Sequence, residues 1–357
     1  MTLRQFSRRP PTVPATTAWY LADLGEARGR QDLWIKQYPQ RLRILREHAI
    51  VESAVASNRI EGVTVDQKRV GTIVFGNRPL RDRNEEEVRG YRDALKLVHQ
   101  RGATLPVSEE TIQELHRLSR PGSGDAGRYR ETAMDIVEVH ADGRRRVRFT
   151  AVAAQDVSAA MAELLRLWDD CLAERPVYPL VALAGSNLDF LCIHPFRDGN
   201  GRVSRLLWLL QCYHLGYEVG RYISLERLVE ENRERYYETL EQSSAGWHEG
   251  KQDPWQYVNY CLYVLKSAYG ELEARVGQTA SPRGEKTALI LAAIDRATGP
   301  FRVGSLQQAC PGVSVDLIRR TLKRLRSEGR VECLGRGQHA EWRKTPARES
   351  GNTSFNG

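Results

Sequence analysis

The chain reads as a mainly α-helical protein with two small β-hairpins. Three observations lead there. Apolar residues recur at helical spacing through most of the chain, as at Tyr91, Leu95 and Val98, or Ile318, Leu322 and Leu325. β-type patterning is confined to two short stretches, each folded about a turn signal, Asp142-Gly143 and Gly335-Arg336-Gly337. A stretch holding Gly277, Ser281, Pro282 and Gly284 reads as a linker between a helical body and a small C-terminal α+β module.

Composition narrows the class. Hydrophobic residues make up 41% of 357, enough for a sizeable core. No run approaches the ~18 apolar residues of a membrane-spanning helix. The first ten residues lack the apolar stretch of a signal peptide. Six cysteines are scattered without a Cys-x-x-Cys pair and read as free thiols, which predicts a reducing, cytoplasmic setting. The histidines show no zinc-ligand spacing. The net charge is +8, and residues 283–344 carry thirteen Lys and Arg against six Asp and Glu, so +7 of that excess lies in the C-terminal module. Such asymmetry predicts an acidic partner for that module.

In chain order, residues 1–15 are rich in Arg and Pro and read as an extended arm. Helical patterning runs from Thr16 to Glu47, with Leu33, Ile35, Leu42 and Leu45 inward. A second helix spans about 48–62, with Val51, Ala54 and Val55 as its stripe and Gly62 as its stop. Ser57 and Glu61 share a face at i, i+4. Residues 62–80 read as a short helix and a loop, and 84–100 as a helix. Ser108 caps the next helix, in which His116 reads as a packing or hydrogen-bonding residue. The runs 136–140 and 144–150 form the first hairpin, which must lean on the helical body to be stable. Helices follow at 153–175, about 180–193, 202–216, from Ser224 through Asn232, Tyr236 and Tyr237, and 255–272. Beyond the linker come helices at 286–296, 303–309 (stopped by Pro311-Gly312) and 315–328 (capped by Ser314), then a hairpin at 330–334 and 340–344.

The chemistry concentrates in His194-Pro195-Phe196-Arg197-Asp198-Gly199-Asn200-Gly201-Arg202-Val203-Ser204-Arg205. Gly199 and Gly201 allow close backbone approach to a ligand. The loop opens into a helix N-terminus, where free N–H groups favour phosphate. Arg202 and Arg205 share one face, and guanidinium forks suit phosphate oxygens. Asp198 can hold Mg²⁺, which commonly takes one or two carboxylates beside phosphate and water. His194 suits a general base near neutral pH. Pro195 should hold His194 extended and end the helix there. No P-loop and no dinucleotide-type Gly-x-Gly-x-x-Gly unit is present.

This string resembles the Fic family signature, His-Pro-Phe-x-Asp/Glu-Gly-Asn-Gly-Arg-x-x-Arg, at every fixed position. The resemblance implies a helical Fic fold and transfer of AMP from ATP to a hydroxyl of a target protein, self-modification included. It makes His194 the base and Asp198 the Mg²⁺ ligand. Gly199, Asn200 and Gly201 become an anion hole, Arg202 and Arg205 phosphate holders, and the nucleotide contact extends through Val203 and Ser204. Phe196 would anchor the loop. Tyr236 and Tyr237 resemble the family's adenine-side aromatics. The segment ending Ser57-Asn58-Arg59-Ile60-Glu61-Gly62 resembles the family's inhibitory motif, in which Glu61 would pair with Arg205 and block productive ATP binding. The hairpin resembles the family's target-docking flap, with Val147, Arg148, Phe149 and Thr150 on its second strand. Arg144 to Arg146 at its tip suit either solvent or an acidic target. The family's usual proline cluster after the flap is replaced by Thr150-Ala151-Val152-Ala153-Ala154.

The expected organisation is therefore a helical region at 1–115, a catalytic core at 116–275, a linker at 276–285, a module resembling a winged helix at 286–345, and a disordered tail at 346–357. A basic third helix in that module suits a DNA or a protein partner, and oligomerisation stays open. Removal of AMP from a modified protein, with Glu61 orienting water, and transfer of a different nucleotide group remain alternatives. So does a DNA-binding regulator that senses nucleotide.

Overall fold

The computed structural model describes residues 1–76, 79–139, 145–277, 287, 290–291, 293–294, 297, 299–310, 313–335 and 340–345. It divides into two compact units, Met1–Gly277 and Gln278–Gly357. Both are mainly helical, as the sequence predicts, and among the described residues no helix is long and apolar enough to cross a membrane.

The first unit is built around two buried helices, α8 (Pro179–Ile193) and α9 (Asn200–His214). Both are buried on nearly every face, as a helix enclosed by others is. A polar side chain links the two. Asn187 donates to Ser204 O at 2.8 Å and accepts from the Tyr257 hydroxyl at 2.6 Å. Surrounding them are α2 (Ala15–Gln37), α3 (Pro39–Ile60), α5 (Arg83–Arg101), α6 (Glu109–Ser119), α7 (Val157–Glu174), α10 (Leu225–Glu231), α11 (Arg233–Ser244) and α12 (Trp255–Gly277), with the short α4 (Val70–Phe75) beside α5. Asp82 and Ser108 cap α5 and α6 by accepting from Glu85 N at 3.0 Å and Thr111 N at 3.3 Å.

Three expectations change. Residues 1–15 are not an extended arm: Thr2–Arg8 form helix α1, with Leu3 and Phe6 buried. The cause lies far along the chain. The buried Asp189 carboxylate accepts from Thr2 N and Leu3 N at 2.6 and 2.9 Å, satisfying two N–H groups the helix cannot satisfy itself. Gly185 makes room, since a Cβ there would lie 3.1 Å from the Phe6 ring. Second, the helices expected at 16–47 and 48–62 divide elsewhere. The break falls at Tyr38-Pro39, because proline begins helices and cannot continue them. Leu33 is turned outward at 55% exposure. Third, the helix begun at Ser224 breaks at Asn232, whose side chain caps α10 by donating to Leu228 O at 2.9 Å.

The hairpin pairs β1 (Asp135–Val139) with β2 (Arg145–Thr150) antiparallel, with a bulge beside Ile136/Val137. Phe149 faces Ile136 and Val147 faces Val137, so Arg148 is the extra, unopposed residue. The turn signal Asp142-Gly143 and Arg144 lie outside the described residues.

In the second unit, helices Val303–Ala309 and Val315–Ser327 pack with the helical residues Ile290 and Ile294 and a three-stranded sheet. The sheet order is β3 (Phe301–Arg302), β5 (Glu341–Lys344), β4 (Val331–Cys333), all antiparallel. The two-residue strand β3 has too short a pattern to read from sequence. Ile318, Leu322 and Leu325 are buried, as their spacing predicts. The linker residues 278–285, Pro311-Gly312, the turn at 336–339 and the tail 346–357 lie outside the described residues.

Candidate active site

His194 follows the last residue of α8 and takes a left-handed conformation, φ 53°, instead of the extended one expected before Pro195. A non-glycine residue there costs free energy and needs support from its surroundings. Arg130 supplies it. Its Nε donates to His194 O at 2.8 Å, its Nη2 to Ile193 O at 3.2 Å and to Val152 O, and its backbone N–H to Pro195 O at 2.9 Å. The His194 ring is held by Nδ1, 3.2 Å from Leu191 O. A carbonyl only accepts, so Nδ1 carries the proton and Nε2 keeps a lone pair. Burial pushes the His194 pKa down to about 4, leaving the ring neutral and basic at pH 7.

The loop that follows is braced from inside. Asn200 Oδ1 accepts from Phe196 N at 2.9 Å, and its Nδ2 donates to Phe196 O at 2.7 Å. The Phe196 ring is fully buried and stacks on His116 with centroids 3.8 Å apart. His116 Nδ1 accepts from Gly127 N at 2.8 Å, so its Nε2–H donates to Asp198 O at 3.0 Å. Gly199 has φ 84°, and a side chain there would press on Arg120. The Asn200 side chain is thus committed to the loop. What this turn presents to a ligand is the set of N–H groups that open α9.

The charged groups form two networks. In the first, Glu87 of α5 accepts from Arg202 at 2.6 Å, from Arg83 at 2.9 Å and from Arg120. Burial opposes ionisation of Glu87, but Arg202 and Arg120 outweigh it and hold its pKa below the usual carboxylate range. Arg120 also reaches Asp198 Oδ2 at 2.8 Å. The Arg202 guanidinium is buried against Glu87, also meets Asn58 Oδ1 at 3.3 Å, and lies 3.6 Å from Asp198. It therefore points into the protein, not into open space as a phosphate holder would. Asp198 itself is 56% exposed. Among the described residues no cluster of three or more metal-ligating side chains exists. An exposed carboxylate beside a helix N-terminus is the kind of ligand that magnesium takes singly, with phosphate and water completing its shell.

In the second network Arg205 meets α3. Its Nε donates to Ser57 Oγ at 2.9 Å, and its Nη2 to Ser57 O at 2.9 Å and to Glu61 Oε1 at 2.7 Å. Burial opposes the Arg205 charge, yet Glu61, Tyr236 and Tyr91 together outweigh it and raise the pKa further above the ordinary range. Glu61 is the residue after α3, and Gly62, at φ 81°, carries the chain away. Gly201 is matched to this contact, because a Cβ there would lie 2.3 Å from Glu61 Oε1.

A cavity of 620 Å³ opens beside these groups, a size that suits a nucleotide. His194, Gly201 and Glu61 form one side, Tyr236 and Tyr237 another, and Ile136, Val137, Arg148 and Phe149 of the hairpin a third. Tyr236 is buried, while the half-buried Tyr237 packs beside it at 5.1 Å between centroids. Arg148, the bulge residue, ties the hairpin to α11 by donating to Tyr237 O and Glu241 at 2.9 and 2.8 Å. Phe149 stacks on His248, Thr150 bonds to Asp135, and Val147 is 54% exposed. Val203 and Ser204 face inward, Ser204 Oγ donating to Gly201 O, and do not line the cavity. Sequence reading passes over Glu87, Arg120 and Arg130, and its packing or hydrogen-bonding role for His116 is what the structure shows. The contacts that tie Arg120 to Glu87, Arg130 to His194 and Glu87 to Arg202 span 33 to 115 positions, which local pattern does not record.

Known proteins resemble this chain. Residues 106–212 match the Fic/DOC family. The Protein adenylyltransferase Fic of Nematostella vectensis is 28% identical over 205 residues, 53% of this chain and 42% of that protein. The chain thus spans less than half the length of that curated relative. A Fic family protein from Desulfovibrio desulfuricans G20 has a similar structure, with a TM-score of 0.64 and 25% identity over 96% of this chain and 99% of that one. A Fic domain containing signaling protein from Bacteroides thetaiotaomicron shares the fold at a TM-score of 0.59 and 21% identity, over 72% of this chain and 98% of that one. The Fic/DOC match at residues 106–212 has the loop His194–Arg205 inside it.

Proposed function

We propose that the chain is an autoinhibited protein adenylyltransferase, moving AMP from ATP to a hydroxyl of a target protein. The observation that carries this reading is the Glu61–Arg205 contact beside His194, where an arginine already paired to a carboxylate is withheld from a γ-phosphate. His194 Nε2 takes the proton of the target hydroxyl as its oxygen attacks the α-phosphorus. The bond from that phosphorus to the bridging oxygen breaks, and pyrophosphate departs. The N–H groups opening α9 hold the charge that develops on phosphate oxygens. Asp198 would hold Mg²⁺, which neutralises the departing pyrophosphate. Tyr237 covers the base, and the hairpin lends a strand edge to the target segment.

Transfer of label from α-³²P-ATP into the purified protein tests this, with γ-labelled ATP as control. Label from the α-position, stronger in Glu61→Gly and lost in His194→Ala, supports it. Label from the γ-position, or none in either protein, overturns it. A second reading is removal of AMP from a modified target. It draws on Glu61 lining the cavity beside His194, placed to orient a water. Release of AMP from a pre-labelled substrate separates the two.

A further inference from the structure

The helix Val315–Ser327 buries Ile318, Leu322 and Leu325 and leaves Arg319, Arg320, Lys323, Arg324 and Arg326 exposed. At 3.6 residues per turn these five cations fan over an arc of about 160°. Acidic partners are few. Arg324 approaches Glu328 at 3.8 Å, and Arg320 donates to a backbone oxygen, Asp316 O, at 3.4 Å. Arg319, Lys323 and Arg326 have no ion pair among the described residues, and they recur at i, i+4 and i+7 on one side.

We infer that this helix is a docking element for duplex DNA, seated in the major groove. Shape favours a groove over a flat acidic protein face. The cations spread across about 160° of the helix surface, more than one flat face can meet, whereas the two phosphate rims of a groove curve around such a spread. The helix is about 20 Å long and of ordinary girth, which the major groove admits. The Arg319 to Lys323 rise of about 6 Å suits successive phosphates along one strand. Ser314 fixes its start by accepting from Leu317 N at 3.3 Å, and the buried stripe fixes its rotation, so the fan is preset. Contacts of this kind give affinity and register; the sequence read is a separate matter.

The test uses the full chain and a fluorescein-labelled duplex of about 30 base pairs, read by anisotropy. Binding should weaken steeply between about 50 and 200 mM salt. Arg319→Ala/Lys323→Ala/Arg326→Ala together should weaken it at least tenfold and lower the log–log salt slope by about 3. The same variant should label with α-³²P-ATP like the unaltered chain, so this proposal and the transferase reading fail separately. No retention at about 50 mM salt, or equal binding by the triple variant, would overturn the inference. So would displacement of the duplex by poly-glutamate as readily as by unlabelled duplex, which would assign the surface to an acidic protein. Should the triple variant not fold, Lys323→Glu alone is read the same way, and the salt slope of the unaltered chain decides independently.

Discussion

Arg120 joins Glu87 to Asp198: one guanidinium nitrogen donates to the buried Glu87 carboxylate, and the other lies 2.8 Å from Asp198 Oδ2. The exposed carboxylate of the loop is thereby oriented from α5 and α6. Arg120→Ala, in a Glu61→Gly background, should lower kcat for self-labelling by about 10- to 100-fold with a smaller change in the KM for ATP. Arg120→Lys should restore part of it. Equal loss in the lysine and alanine variants would remove the positioning role.

Glu87 holds three arginines at once, two of them buried. Glu87→Ala would leave the buried Arg202 charge with only Asn58 and the longer Asp198 contact. Such a change costs about 3–5 kcal/mol, read as a lower midpoint in urea unfolding of the first unit.

Releasing Arg205 should raise transfer. Its bond to Glu61 joins two charged groups, and bonds of that kind contribute about 1.5–3 kcal/mol. Glu61→Gly should therefore increase α-labelling roughly 10- to 100-fold. Adding Arg205→Ala should weaken ATP binding, measured by nucleotide titration.

The pH dependence follows from burial. The His194 pKa lies at about 4 when folded, against an ordinary value of 6.5. The base is therefore already neutral at pH 6, and the acid limb of the labelling rate should fall near pH 4 to 5, not near 6.5. His99 is shifted the same way, to about 3, by burial first and then by Arg221 and Arg46. Between the folded and unfolded values the unfolded chain binds more protons. Stability contributed by the two neutral rings is complete above pH 6.5 and is lost as pH falls toward about 4 for His194 and about 3 for His99. Thermal midpoints from pH 7.5 down to pH 5 should drop on the acid side, and less so in His99→Gln.

The two units should respond separately. Leu322→Ala empties a buried site in the second unit, at a cost of about 2–5 kcal/mol. It should lower that unit's melting transition and duplex retention while leaving α-labelling in place. Loss of labelling would show that the catalytic unit depends on the other.

Much of the site is legible in the sequence because it is local. His194 to Arg205 lie within one helix–loop–helix turn, so their types and spacing alone confine a base, a carboxylate, a glycine turn and a helix start to one small volume. Helix periodicity likewise marks the inner faces of α5 and of Val315–Ser327. What the chain could not disclose by itself depends on partners distant in sequence. Residues 1–15 read as an arm until Asp189 captures the N–H groups of Thr2 and Leu3. Arg202 reads as a phosphate ligand until Glu87, 115 positions earlier, draws it inward. His194 reads as extended until Arg130 holds its carbonyl. Each of these is a charged or strained group, whose conformation is set by which counter-charge or acceptor burial brings near. Only the tertiary structure decides that, because periodicity records which face is buried and not what it is buried against.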